Sequence, residues 1–363
     1  MNILFAASEM VPFCKTGGLA DVIGALPPVL VRMGHEVSVM LPGYSIIDRK
    51  RFGFNKMRLK LQIPVGSDMK PLHISSVYWK GVTVYLLENG EYFDRGHLYG
   101  NTDGDYEDNG SRFIFFSRAV LEMAKRLENM PDVVHTHDWQ AGLVTAYLAT
   151  LYKNDRWFAG SAALFTIHNL GYQGVFPEEN FTLTGLPREE FSWTKLEYWG
   201  DVSFIKGGIV YGDAVSTVSK KYSGEILGDD LGFGLQGVFG ERRDDLYGIV
   251  NGIDHNEWNP SSDTSIPAQY SINDMPGKKR CRDALLETCG LKADKFTPVF
   301  GMVTRLDDQK GIDILESSVS RLAAMNLRLV ILGTGTQEHH KTMKRLMLRY
   351  PKCINVMLRF DSD

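Results

Sequence analysis

The sequence predicts an α/β protein of two domains, each organised on a mainly parallel sheet. Three observations carry that prediction. Apolar runs of strand length alternate with longer segments of helical spacing. The runs end in glycine or in polar clusters, where an open sheet places its ligands. The chain has 363 residues, 44% hydrophobic and 23% charged, enough for two ordinary cores.

The first element is Ile3-Leu4-Phe5-Ala6-Ala7, a buried strand. It leads into Lys15-Thr16-Gly17-Gly18-Leu19-Ala20-Asp21, then into Val22-Ile23-Gly24-Ala25-Leu26, Leu30-Val31 and Met33, spaced as a helix packed on a sheet. A strand, a glycine turn and a helix N-terminus together make an anion site, because the first helical amides lack intrahelical partners. Adjacent glycines let a phosphate approach the backbone, and Lys15 adds a full positive charge. Alone, the glycine pair reads first as a relaxed turn; the motifs downstream turn the reading toward an anion.

Residues 36–41 and 82–87 read as further strands, closed by Pro42-Gly43 and by Glu88-Asn89-Gly90. An aromatic and acidic loop over 92–108 contains His97-Leu98-Tyr99-Gly100 and Gly104-Asp105-Tyr106. A helix over 111–127 follows, its Phe113, Phe116, Val120 and Met123 stripe marking core. The strand over 132–137 ends in His135-Thr136-His137-Asp138, and the strand over 163–167 ends in His168-Asn169. Two strand ends bearing His, Asp and Asn form one expected pocket wall. Lys206-Gly207-Gly208 begins a helix before the strand at 215–219, and glycines between Gly232 and Gly237 mark a turn or hairpin.

Turn signals at Asn251-Gly252-Ile253-Asp254 and Asn259-Pro260 place the domain boundary between 241 and 262, giving domains 1–245 and 246–363. Strands over 298–303, 327–332 and 354–358 then build the second domain, fewer than the roughly four to six of a self-sufficient open sheet.

The net charge of −4 gives no support to non-specific binding of nucleic acid or acidic membranes. No apolar run reaches the roughly 18 residues of a membrane span. The N-terminal stretch lacks a basic region and Glu9 interrupts its apolar run, so it does not read as a secretion signal. The four cysteines show no CxxC spacing, which points to a reducing, cytoplasmic setting.

His135-x-His137-Asp138 reads as a metal site, as contacts to a hydroxyl-rich ligand, or as satisfied buried histidines; without further ligands nearby the metal reading is set aside. His339-His340 reads as the solvated face of a helix. Arg305-Leu306-Asp307-Asp308-Gln309-Lys310-Gly311 places two cations between a strand end and a helix start. They read either as a clamp for a diphosphate leaving a sugar or as surface charges. Gly333-Thr334-Gly335 also follows a strand, but the full G-x-G-x-x-G of a dinucleotide site is absent, which weakens a dehydrogenase.

Together, the 15–21 motif, the 135–138 run, Thr166-Ile167-His168-Asn169, Lys206-Gly207-Gly208, Asn251-Gly252-Ile253-Asp254 and Arg305-x-x-x-Gln309-Lys310-Gly311 resemble the bacterial glycogen synthase and plant starch synthase family along essentially the whole chain. The resemblance implies a GT-B fold of two Rossmann-like domains facing across a cleft. It implies retaining transfer of glucose from ADP-glucose to the non-reducing 4-hydroxyl of an α-1,4-glucan, such as glycogen or a maltooligosaccharide, without metal or other cofactor. Carried over, Lys15 and Gly18 hold the donor's phosphates and glucose, with Gly17, Asp21 and Gly335 among the substrate contacts. Asp138 and His168 meet the transferred sugar, with Asn169 in support. Asn251 lines the donor cleft, Tyr99 stands near the donor base, and Arg305 and Lys310 neutralise the departing diphosphate.

Gln236 and Lys220 depart from the family, which commonly has an acidic residue and a proline there. The family also continues past this point, with a Glu-Pro-Cys-Gly-Leu segment whose glutamate binds the sugar; none follows Leu358. The chain is therefore expected to be a C-terminally truncated synthase, second domain incomplete, weakly active alone and open to self-association. A UDP-glucose-dependent relative and a glucan-binding or regulatory remnant are the rival readings.

Overall fold

The computed structural model describes residues 1–101 and 104–359. Thr102 and Asp103 of the expected aromatic loop, and residues 360–363 of the expected second domain, lie outside the described residues. The chain divides into two compact units, Met1–Gly252 and Ile253–Asp363. Residues 246–248 belong to the first unit, because they pair as a strand in its sheet.

The first unit runs β1 (Asn2–Ala6), α1 (Gly18–Arg32), β2 (Glu36–Pro42), β3 (Asn55–Val65), β4 (Asp68–Trp79), β5 (Val82–Glu88), α2 (Asn109–Ala124), β6 (Val133–His137), α3 (Asp138–Ala149), β7 (Ala162–Ile167), α4 (Phe204–Tyr211), β8 (Ala214–Thr217), α5 (Lys220–Glu225) and β9 (Leu246–Gly248). Among the described residues these strands form one nine-stranded sheet, ordered β9-β8-β7-β6-β1-β2-β5-β4-β3. Pairing is parallel from β9 to β5. The central strands are buried on both faces: β1 carries the apolar run Ile3-Leu4-Phe5-Ala6, whereas β6 buries His135, Thr136 and His137 after Val134.

The β3–β4 ribbon was not expected from the sequence. It pairs antiparallel with β5 and turns tightly at Gly66, φ +59°. Its β3 strand alternates Lys56, Arg58, Lys60 and Gln62 with Met57, Leu59, Leu61 and Ile63, the pattern of a half-exposed edge. Like charges along an edge also discourage pairing with another sheet.

Phe113, Phe116, Val120 and Met123 of α2 are fully buried, as their spacing predicts. Helices α3 and α4 cross closely because of glycine. A Cβ at Gly142 would lie 2.1 Å from the Phe204 carbonyl oxygen, and one at Gly208 would lie 2.4 Å from the Phe165 ring. Around Gly232–Gly237 the chain makes a left-handed turn at Phe233 and Gly234 between two short helices, not a hairpin.

The second unit runs α6 (Pro276–Thr288), β10 (Val299–Val303), α7 (Ile312–Ala324), β11 (Arg328–Leu332), α8 (Gln337–Arg349) and β12 (Ile354–Met357). Among the described residues its sheet is three-stranded and parallel, ordered β10-β11-β12. Ile331, Met343 and Leu346 anchor its core, while Phe300 and Val303 of β10 are exposed.

Candidate active site

In the first sheet β1 continues to β2 on one side, while β6 lies on the other. The loops leaving β1 and β6 therefore diverge, and the carboxyl ends of β1, β6 and β7 form the switch point at which open α/β sheets bind ligands. Lys15, Gly17, His168 and Asn169 lie on loops leaving these three strands, and Gly18, Asp21 and Asp138 lie in the first turns of the helices α1 and α3 that follow β1 and β6.

The residue that shapes this edge is Glu9, which sequence reasoning missed. It is only 4% exposed. Its carboxylate accepts the Thr16 amide at 2.5 Å, the Gly17 amide at 3.1 Å and the Thr16 hydroxyl at 2.6 Å. The Tyr99 hydroxyl lies 2.7 Å from both Glu9 Oε1 and Ser8 Oγ. A carboxylate only accepts, so the phenol proton points to Glu9. Burial, and then the Glu9 charge, hold the Tyr99 hydroxyl well above its ordinary pKa, so it stays a donor.

Two of the amides expected to cradle an anion are thus occupied from within. What the loop turns outward is bare backbone. A Cβ at Gly17 or Gly18 would meet nothing within 4 Å, and Gly17 has extended φ of −151°, open to any residue. Neither packing nor conformation requires glycine here. Beside it Lys15 pairs with Asp21 at 2.7 Å, both side chains partly exposed. Beneath it the buried Cys14 thiol lies 3.9 Å from the Ser8 carbonyl oxygen, its pKa pushed up to about 12 chiefly by burial.

Asp138 opens α3 in the left-handed region, φ +54°. Such a conformation costs a non-glycine residue about 1–3 kcal/mol. Its carboxylate offsets this by accepting the His168 amide at 2.7 Å and the Asn169 amide as well. Burial raises the Asp138 pKa, and these contacts oppose the rise. Asp138 is therefore a clamp between two strand ends, a role that the sequence did not disclose.

His137 Nδ1 lies 3.0 Å from His168 Nε2. Burial, then His135 and His168, hold the His137 pKa well below its ordinary value, so its ring is neutral. Its Nε2 is buried with no hydrogen-bond partner among the described residues. A bare acceptor costs less than a bare N–H, so the proton belongs on Nδ1, donated to His168. His135 Nε2 lies 2.7 Å from the Thr166 hydroxyl, which lies 2.7 Å from Ser216 Oγ. Burial and the neighbouring His168 lower the His135 pKa to about 3. Both rings of the His-x-His pair are thus engaged inside the sheet. Among the described residues no group of three or more His, Cys, Asp and Glu could hold a metal ion.

Tyr99 packs against Phe113 and Trp139, ring centroids 6.1 and 6.5 Å away. Asn251 is exposed just past β9, whose exit is tied by the Ile249 amide donating to the Thr217 carbonyl at 2.8 Å.

In the second unit Arg305 and Lys310 are exposed beyond the end of β10. The loops after β10 and β11 are laced together: the Leu306 amide donates to the Thr334 carbonyl at 2.8 Å. Glycine is required at this seam, where a Cβ at Gly333 or Gly335 would lie 1.9 Å from Thr304 O or 2.1 Å from Leu306 O. The Gly335 amide donates to His340 Nε2 at 3.1 Å, and His339 Nε2 lies 3.0 Å from Asp308 Oδ1. The reading of His339-His340 as a solvated face is corrected accordingly. Both rings fold back from the first turn of α8 onto the loops, contacts set by tertiary approach rather than helical period.

A parallel sheet with polar strand ends at its switch point, followed by a second α/β unit with cations beyond a strand end, defines a GT-B-class protein. The chain belongs to the starch synthase catalytic domain family, whose model matches residues 2–241. It is 43% identical to a glycogen synthase of Geotalea daltonii over 363 residues, covering 100% of this chain and 75% of that one. It is 42% identical to glycogen synthase 2 of Geobacter sulfurreducens, again covering 100% and 75%. Among solved structures it resembles the catalytic domain of starch synthase IV from Arabidopsis thaliana bound to ADP and acarbose. There the TM-score is 0.91 at 28% identity, over 99% of this chain and 74% of that one.

Proposed function

We propose that the chain transfers glucose from ADP-glucose to the non-reducing 4-hydroxyl of an α-1,4-glucan, with retention. The observation that carries this reading is the loop at Lys15–Asp21, where a cation stands beside glycines that neither packing nor backbone conformation requires. Membership of the starch synthase catalytic domain family supports it.

Lys15, Gly17, Gly18 and Asp21 receive the donor's phosphates and sugar. His168 and Asn169 meet the sugar, held in place by the Asp138 carboxylate and the His137 ring. Asn251, Tyr99 and Gly335 complete the contacts, Tyr99 by bracing Glu9. Arg305 and Lys310 neutralise the diphosphate as it leaves. The bond from the sugar C1 to the phosphate oxygen breaks, a bond from C1 to the acceptor O4 forms on the same face, and the acceptor proton passes to the departing phosphate. Leaving-group stabilisation and positioning carry such a reaction, and removing one such donor costs about 3–4 kcal/mol of barrier.

The reaction as proposed uses no metal and no cofactor, and the protein works in the cytoplasm. No helix among the described residues is long and apolar enough to cross a membrane. The exposed Phe300 and Val303 of β10 support self-association, which sedimentation velocity would measure. The functional test is glycogen-dependent release of ADP from ADP-glucose, with UDP-glucose and NAD as competitors. Lys15→Ala and Arg305→Ala should each lower turnover by about 10²-fold or more. Preference for UDP-glucose, or near-normal turnover in Arg305→Ala, would refute the assignment.

A further inference from the structure

Two indoles of the first unit stand almost fully in solvent, Trp193 at 74% and Trp199 at 85% exposure. Residues 197–198 and 201–203 pair antiparallel, Tyr198 opposite Asp201, so Trp199-Gly200 is a two-residue tip. Both tip residues have positive φ, +54° and +92°. Asn-Gly or Asp-Gly is the usual choice for such a tip, and tryptophan is a poor one. The chain holds an aromatic ring at its least favourable turn position and points it at water.

The surroundings are built to keep that surface in place. Lys206, only 4% exposed, donates from Nζ to the carbonyl oxygens of Trp193 at 2.5 Å and Glu197 at 2.6 Å. One buried ammonium thus ties the loop bearing Trp193 to the strand leading to Trp199. The Glu197 carboxylate accepts the Gly200 amide at 2.7 Å and so braces the tip. The Tyr198 hydroxyl donates to the Phe233 carbonyl at 2.7 Å, passing where a Cβ at Gly234 would lie 2.5 Å away. Trp193, Tyr198, Trp199, Glu197 and Glu241 line a depression of about 380 Å³.

We infer that this depression is a binding platform for an α-glucan chain, with the indoles stacking on sugar faces and the carboxylates accepting hydroxyls. Stacking faces flanked by acceptors match a polyhydroxylated ring, whose two sides are C–H and whose rim is O–H. The platform is tied to the candidate active site through one loop. The Gln173 side chain donates to the same Phe233 carbonyl at 2.9 Å, and Gln173-Gly174 lie on the loop that begins at His168-Asn169, packed against Trp139. Lys206 of the Lys-Gly-Gly motif is then a positioning residue for the platform. The inference rests on the glucan-directed reading above and adds where the polymer is held.

The test is calorimetric titration of the full chain with maltoheptaose and, separately, with ADP-glucose. Trp199→Asn removes the ring while giving the tip its favoured Asn-Gly sequence, so loss of fold does not obscure the result. Maltoheptaose affinity should fall by about tenfold in Trp199→Asn and further in the Trp193→Ala/Trp199→Asn double variant, with ADP-glucose affinity unchanged. Wild-type glucan affinity in the double variant overturns the platform and leaves the transferase intact. So does a change confined to sedimentation, which would make the surface a contact with a second copy of this chain. A wild-type chain that binds ADP-glucose but no glucan also overturns it, and one that binds neither overturns the transferase reading as well.

Discussion

Replacing Glu9 tests how the loop over Lys15–Asp21 is held. Its carboxylate takes four donors, two amides and two hydroxyls, inside a pocket that leaves it 4% exposed. A hydrogen bond to a charged group contributes about 1.5–3 kcal/mol, against about 0.5–1.5 for a neutral pair. Glu9→Gln keeps an acceptor oxygen for the Thr16 and Gly17 amides. It offers an NH2 to the hydroxyls of Thr16 and Tyr99, which can rotate to accept. The loss is then the charge assistance on two amide bonds, about 2 kcal/mol in all. Glu9→Ala strands all four donors and should cost about 4 kcal/mol or more. Donor binding as proposed needs the closed loop, so ADP-glucose affinity should fall in the same order, about tenfold for each 1.4 kcal/mol by which opening gains on closure. Urea unfolding and donor titration of the three proteins provide the readings. A Glu9→Ala protein with wild-type midpoint and wild-type donor affinity would refute the reasoning.

Three further outcomes are expected. Gly17→Ala should leave stability within about 0.5 kcal/mol, since its Cβ meets nothing, yet lower ADP-glucose affinity; equal affinity would deny the bare backbone a ligand. Gly142→Ala, by contrast, drives a Cβ to 2.1 Å from a backbone oxygen and should cost about 1–3 kcal/mol, read as a lowered melting temperature. His135 is neutral when folded, with a pKa of about 3 against 6.5 for the free group, so the unfolded chain binds more protons between these values. Stability should be full above about 6.5 and fall as the pH drops toward 3, by about 2 kcal/mol at pH 5 from this ring alone. His137 acts in the same direction, and His135→Gln should flatten the slope of the urea midpoint against pH.

The first sheet was legible because parallel strands buried on both faces carry apolar runs, as Ile3-Leu4-Phe5-Ala6 of β1 and Ala163-Leu164-Phe165 of β7 do, while β6 was marked by Val133-Val134 and its polar end. The β3–β4 ribbon was not, since its half-exposed lysines and arginines break the apolar signal that marked the others. The polar strand ends at His137-Asp138 and His168-Asn169 could be found, but their division of labour could not. Asp138 meets the His168 amide only because β6 and β7 pair with His137 opposite Thr166, a register set by the whole sheet. Glu9 left a trace that was read for the wrong purpose. An acid directly after the buried Ala6-Ala7-Ser8 must be satisfied by partners or remain in water, and the donors of a nearby glycine loop were the available partners. The Gly333 and Gly335 pair looked like part of a ligand loop, and the seam between two strand exits accounts for both glycines.

The sulfur of Cys14 gives the protein a built-in clock. It adjoins Lys15 directly, and a thiol with a pKa near 12 beneath closed backbone scarcely ionises at neutral pH. An alkylating reagent can reach a reactive thiolate only in the moments when this stretch lifts away, so its modification rate counts those moments. A bound sugar nucleotide that seals the stretch would slow the count, and the retardation would report occupancy without any turnover being measured.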